Sequence, residues 1–338
     1  MKFFLPLIFL LLAPNLWDVN LQDQLKQIDD EFSGSVGVYV KHLGDGATVN
    51  YQTDRDWYLA STVKIPIGIA ILQKVEEGEL SLDDELVVKE SDFVDGSGDL
   101  MWQDPGISYS LLELLTRMIR DSDSTATDIL IRFLEEEKLN EHIRERIISD
   151  GIEPITTILQ VRYDAYGEIH ENAANLTNMN IIELKGVTPM ASRFDELLRI
   201  LEINENDILV NSIPDAFEQY YQRKLNSGSL EAMGVMLEKL AEGEYLNEEH
   251  TTILLDIMKS VTTGTRRIQA GLPDGTEFAH KTGTQIGRAC NMGIVYLEDK
   301  DPVVVAACAE NYGELREAEE VFEKVGRTVS NNVLNGSI

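Results

Sequence analysis

Apolar residues recur at helical spacing through most of the chain and at strand spacing only near its two ends. Residues 34–41 and 47–52 alternate as strands and flank Gly44-Asp45-Gly46, a hairpin-turn signal. Residues 61–78, 109–120, 124–136, 190–202, 229–242 and 247–260 carry apolar residues three and four apart, which predicts helices. The period changes again toward the C-terminus. Residues 278–282, 290–297 and 303–309 read as strands, the last two joined by the polar turn Glu298-Asp299-Lys300-Asp301-Pro302. Residues 314–332 form a final amphipathic helix. Residues 151–188 show no clear period and read as one long irregular stretch, a length more often functional than incidental. No internal repeat is present.

This order predicts an α+β, two-lobed architecture. One antiparallel sheet is expected from both chain ends, flanked by helices, with an all-helical lobe between. The expected lobes are 25–60 with 262–333, and 61–261. A cleft between lobes is a natural place for a site.

Composition adjusts this picture in few places. The chain of 338 residues buries a core easily, and 43% hydrophobic with 26% charged residues is ordinary for a globular protein. The balance of charge is not ordinary: 59 acidic against 29 basic residues give a formal net charge of −30. Such a surface repels nucleic acid and anionic lipid, so neither is expected as a partner. Lys2 followed by an apolar run over residues 3–13 resembles an export signal, too short to span a membrane. Residues 1–20 are therefore expected to be a signal peptide or an anchor, and the protein to be exported, periplasmic or secreted. Cys290 and Cys308 fall in strand-like segments. They suit a cross-hairpin disulfide in an exported protein, or two buried thiols. The five histidines lack ligand spacing, so no metal and no other cofactor is expected.

Three short motifs carry chemistry. Ser61-Thr62-Val63-Lys64 opens a helix, placing Ser61 and Lys64 on one face. A serine hydroxyl needs a nearby base, and a lysine withdrawn from water can lose its proton and become one. Alone the motif is weak, since S-x-x-K is expected about once by chance in a chain this long. Its bland alternative is a helix-capping serine. Ser122-Asp123-Ser124 sits between two helices, where it caps the second or relays a proton through Ser122. Lys281-Thr282-Gly283-Thr284 lies in a late strand. Gly283 there lets a ligand lie against the strand, and Lys281 brings a positive charge toward a substrate carboxylate.

The three motifs in this order form the set of the class A β-lactamases and penicillin-binding proteins. The chain resembles the class A β-lactamase family from about residue 25 to 333. Residues 117–127 resemble that family's approach to its second motif, Gly96-Ser97-Gly98 its cleft-edge loop, and Gly293-Ile294-Val295-Tyr296 a late strand. The interval of 61 residues from Ser61 to Ser122 is similar to the family's. The resemblance implies a serine hydrolase, acting as a monomer on a small β-lactam or D-alanyl-type substrate. It implies Ser61 as acylated nucleophile, Lys64 as base, Ser122 as proton relay and Lys281 as carboxylate holder. It further implies that the amides of Ser61 and Thr284 form the oxyanion hole. Ser124, Thr282, Gly283, Thr284 and Arg288 are implied substrate contacts.

Three departures stand out. Ser124 occupies a position where the family usually has Asn, whose amide offers both a donor and an acceptor. The interval from Ser122 to Lys281 is long at 159 residues, with the surplus expected within 151–228. The deacylation base is open between Asp164, in Arg162-Tyr163-Asp164, and Glu171, in Glu171-Asn172-Ala173-Ala174-Asn175. Either acid is equally readable as a solvated loop residue. Without a base the chain becomes a penicillin-binding peptidase or esterase, or a β-lactam-binding protein without turnover.

Overall fold

The computed structural model describes residues 16–204 and 206–334. Helix α1 (Leu16–Glu31) precedes the hairpin β1 (Ser35–His42) and β2 (Thr48–Tyr51). The short strand β3 (Asp56–Tyr58) leads through one 3₁₀ turn, Ala60–Val63, into α2 (Lys64–Glu76). Strands β4 (Glu85–Val87) and β5 (Ser108–Ser110) pair with each other ahead of α3 (Leu111–Arg120). Six further helices follow: α4 (Ser124–Phe133), α5 (Glu136–Arg146), α6 (Ile158–Gly167), α7 (Asn178–Gly186), α8 (Met190–Leu201) and α9 (Ile213–Tyr221). Strand β6 (Ser227–Ser229) returns to pair with β3, and α10 (Leu230–Ala241) and α11 (Glu248–Lys259) come next. The chain closes with β7 (Glu277–Gln285), β8 (Arg288–Tyr296), β9 (Val303–Glu310) and α12 (Leu315–Val329).

Both chain ends build one antiparallel sheet in the order β2-β1-β9-β8-β7. Alternate residues of each strand face opposite sides. On one side Val36, Val38, Val40, Val303, Val305 and Ala307 pack under α1 and α12 with Leu21, Leu25, Phe322 and Val325. On the other, Tyr39, Met292, Ile294, Val304 and Ala306 join Ile69, Leu115, Leu237 and Met258. Because both faces are covered, β9 is apolar at every position from Val303 to Ala309, without the polar alternation of a half-exposed strand. Cys290 and Cys308 stand opposite each other on β8 and β9 and form a disulfide.

The structure differs from the sequence expectation in two places. Residues 151–188 are not irregular, since α6 and α7 lie within them. The helix expected over 124–136 stops at Phe133, and α5 restarts at Glu136 after Glu135 takes positive φ. Helices α10 and α11 from the middle of the chain pack on the sheet's inner face. The apolar run at residues 3–13 lies outside the described residues, while α1 begins within the 1–20 segment. A third core, from α6 to α9 with Tyr58, holds Val161, Tyr166, Leu197, Phe217 and Tyr220. Among the described residues no helix is long and apolar enough to cross a membrane.

Candidate active site

Ser61 sits in the 3₁₀ turn that joins β3 to α2. The residue before it, Ala60, is forced to φ 48°. An alanine pays steric strain there, and surrounding structure must hold it. Strand β7 presses against this turn. A side chain on Gly283 would meet Ala60 Cβ at 3.0 Å and the Ser61 amide nitrogen at 3.1 Å, so only glycine admits the approach. The first turn of α2 and the edge of β7 thereby meet beside the Ser61 hydroxyl.

Lys64 is the first residue of α2 and is 1% exposed. Its amine donates to the Ser122 carbonyl at 2.7 Å and to Ser122 Oγ at 3.2 Å, with Asp123 O at 3.5 Å. Burial pushes its pKa down to about 7, although Asp123 and Asp128 pull the other way. A substantial neutral fraction near pH 7 is what a general base requires.

Ser122 reaches Lys64 because its backbone adopts φ 56°, a second strained non-glycine residue at the site. Asp123 caps α4 through the Ala126 amide at 2.8 Å and also accepts the Leu100 amide at 2.9 Å. One carboxylate thus fixes both the second motif and the loop that carries Gly96 and Gly98. Burial raises the Asp123 pKa, against those two amides. Ser124 bonds the same loop twice, its amide to Ser97 O at 3.0 Å and its hydroxyl from the Ser97 amide at 3.1 Å.

Lys281 is fully buried and donates to Thr282 O at 3.1 Å. Burial, then repulsion from Lys64 and Arg267, push its ammonium well below the usual lysine range. His280 is held down to about 3 by burial and by the neighbouring Lys281 and Arg267, so it is neutral. Thr282 shares a hydrogen bond with Thr263 at 2.6 Å. Arg267 donates to the carbonyls of Gly283 and Cys290 at 2.9 and 2.8 Å and to Thr284 Oγ1 at 2.5 Å. Lys281 is therefore repelled by Lys64 and Arg267 in a buried setting that a ligand carboxylate would relieve.

The cavity is lined by Ser61, Lys64, Ser124, Thr284 and Gln285 together with a wall of Ile131, Thr156, Ile158, Val161, Arg162 and Asn226. Asp128, fully buried, holds that wall by accepting the amides of Ile158 and Leu159 at 2.7 and 2.9 Å. Burial raises its pKa to about 6. Among the described residues no carboxylate lines the cavity.

The structure brings Ser61, Lys64, Ser122, Ser124, Lys281 and the 282–284 strand together. It does not bring in the other three candidates. Arg288 turns from the cleft, bonded to Glu218 at 2.7 Å, 3.6 Å from Glu310, and stacked over Tyr221. Asp164 points from α6 to Arg223 at 3.0 Å, and Glu171 is solvent-exposed. Neither acid lines the cavity. Sequence reading missed Arg267, which no spacing rule marks, because its partners are strand carbonyls far along the chain. It also missed Asp128, one helical turn past the second motif.

A sequence profile described as the β-lactamase enzyme family matches residues 20–333. The β-lactamase of Mycobacterium tuberculosis is 24% identical over 295 residues, spanning 87% of this chain and 78% of the relative. Among solved structures, a mutant of PBP-A in an acyl-enzyme complex with penicillin G superposes with a TM-score of 0.70. It is 24% identical, covering 94% of this chain and 97% of that one. The TLA-1 extended-spectrum β-lactamase superposes with a TM-score of 0.71 at 20% identity, covering 94% and 99%.

Proposed function

From the premise that the chain belongs to the β-lactamase enzyme family, we propose that it is a class A-like serine hydrolase that opens β-lactam rings through an acyl-enzyme on Ser61. The observation that carries this reading is Lys64, buried one turn from Ser61, bonded to Ser122 and lowered to about 7. Neutral Lys64 takes the Ser61 proton as Oγ attacks the lactam carbonyl. The C–N bond breaks, Ser122 gives its proton to the departing nitrogen, and the Lys64 ammonium restores the proton to Ser122. The amides of Ser61 and Thr284 receive the carbonyl oxygen's developing charge. Lys281, Thr282 and Thr284 take the substrate carboxylate, and Arg267 holds Thr284 in place. The cavity is completed within one chain, which suits a monomer. Export with a leader over residues 1–20 belongs to the same reading.

Release requires water to add to the ester, returning the proton to Ser61. Among the described residues that line the cavity, Ile158 and Val161 are apolar and none is a carboxylate that could activate that water. Acylation is thus better equipped than deacylation, and the expected behaviour is a burst followed by slow turnover. That imbalance also favours a second reading, a penicillin-binding D-alanyl peptidase or esterase. A chromogenic cephalosporin tests the proposal: hydrolysis by the wild type and none by Ser61→Ala supports it. Covalent labelling without any product release favours the second reading.

A further inference from the structure

Arg162 lines the same cavity as Ser61, on the α6 side with Ile158 and Val161. Its side chain is 11% exposed. Nε donates to Asp95 at 2.7 Å, while Nη1 is enclosed and has no acceptor among the described residues. A buried donor without an acceptor carries a real cost and calls for an explanation. Two further cations stand close. Lys185 donates to the Gly96 carbonyl, and Arg193 donates to the carbonyls of Lys185 and Val187. Lys185 feels attraction from Asp95 and repulsion from both arginines. Among the described residues neither Lys185 nor Arg193 has a carboxylate within ion-pair distance. Three cations thus gather around one carboxylate in a chain where acids outnumber bases two to one. Arg162 also lies 5.8 Å over the Phe217 ring, and Lys185 and Arg193 hold loop carbonyls, so among the polar atoms of this cluster Arg162 Nη1 is the one left without a partner that the described fold supplies.

We infer that the α6 side of the cavity is a subsite for an anionic group on the acyl arm of the substrate, read by Arg162. The inference rests on the Ser61 acyl-enzyme reading. A substrate whose carbonyl sits at Ser61 and whose ring carboxylate lies by Lys281 and Thr284 sends its acyl arm toward Ile158, Val161 and Arg162. The apolar residues cover the body of the arm. The guanidinium, already oriented by Asp95, offers planar donors suited to a carboxylate. The preferred ligand class is therefore an acyl amide with two carboxylates, one for Lys281 and Thr284 and one for Arg162.

Benzylpenicillin and carbenicillin differ by one carboxylate on the acyl arm and provide the probe pair. The readout is the ratio of their acylation efficiencies on the full chain. Arg162→Gln combined with Asp95→Asn removes the pair without stranding a charge, and should lower the carbenicillin-to-benzylpenicillin ratio about tenfold. Asp95→Asn alone keeps the acceptor but removes the competing charge, and should raise the ratio. If the double variant does not fold, the near-isosteric single variant decides. A ratio unchanged in Asp95→Asn overturns the subsite while benzylpenicillin still acylates Ser61. Failure of both penicillins to acylate the wild type instead removes the underlying reading, and the subsite with it.

Discussion

Replacing Lys64 by Met should make the protein more stable and abolish acylation. The amine is wholly buried, and its pKa falls from 10.5 to about 7. At pH 7 that depression costs the folded state about 4 kcal/mol relative to an unfolded chain with an ordinary lysine. Methionine removes the cost but leaves Ser122 O and Oγ without their donor, a loss of about 1–3 kcal/mol. The net gain expected at pH 7 is about 1–3 kcal/mol. Its pH dependence is the sharper signature. Below pH 7 the folded lysine is charged and the full cost is present. Between pH 7 and 10.5 the unfolded state binds the extra proton, so wild-type stability recovers by about 1.4 kcal/mol per pH unit. The variant's advantage should therefore shrink by about 2 kcal/mol from pH 7 to pH 9. Urea unfolding of both proteins at pH 6, 7, 8 and 9 measures this. A difference independent of pH, or a variant less stable at pH 6 than at pH 9 relative to wild type, refutes the buried-base argument.

Acylation by benzylpenicillin should fall about tenfold per pH unit below pH 7 and level off above, following the neutral fraction of Lys64; a flat profile from pH 5 to 8 in stopped-flow measurements contradicts this. Arg267→Gln should lower acylation efficiency about 10- to 100-fold for penicillins and much less for a neutral thioester, because the loss lies in carboxylate binding. An equal loss on both substrates would mark Arg267 as a purely structural residue. Neither Asp164→Asn nor Glu171→Gln should change the rate at which a preformed acyl-enzyme clears, since neither side chain lines the cavity. Slower clearance in either variant would show that the loop acid reaches the ester.

The helices that were legible share one property: a single buried face. Helices α3 and α11 declared themselves in the spacing of apolar residues, whereas β1, buried on both faces, was legible from its short apolar run before a turn signal. Helices α6 and α7 did not. Their buried residues, such as Val161, Ala165 and Tyr166 or Ile181, Ile182 and Leu184, form no single long stripe, because neighbours enclose these short helices. That Ser61, Lys64 and the third-motif strand meet was legible because the three motifs fix residue types in order along the chain. The cation that orients Thr284 was not, because it acts across the sheet on carbonyl groups that every residue possesses. Arg288 was misplaced for a related reason. Its position on β8 is a matter of register, and its charge is satisfied by Glu218 on α9, a partner 70 residues away. Asp164 and Glu171 matched a spacing, but spacing does not say which side of a helix faces the cleft.

Rapid-mixing mass spectrometry of the full chain with benzylpenicillin tests the central claim most directly. The expected result is one penicillin equivalent on Ser61, formed in a burst and cleared more slowly than it forms, with penicilloate as product. No adduct, or an adduct on any residue other than Ser61, would contradict it.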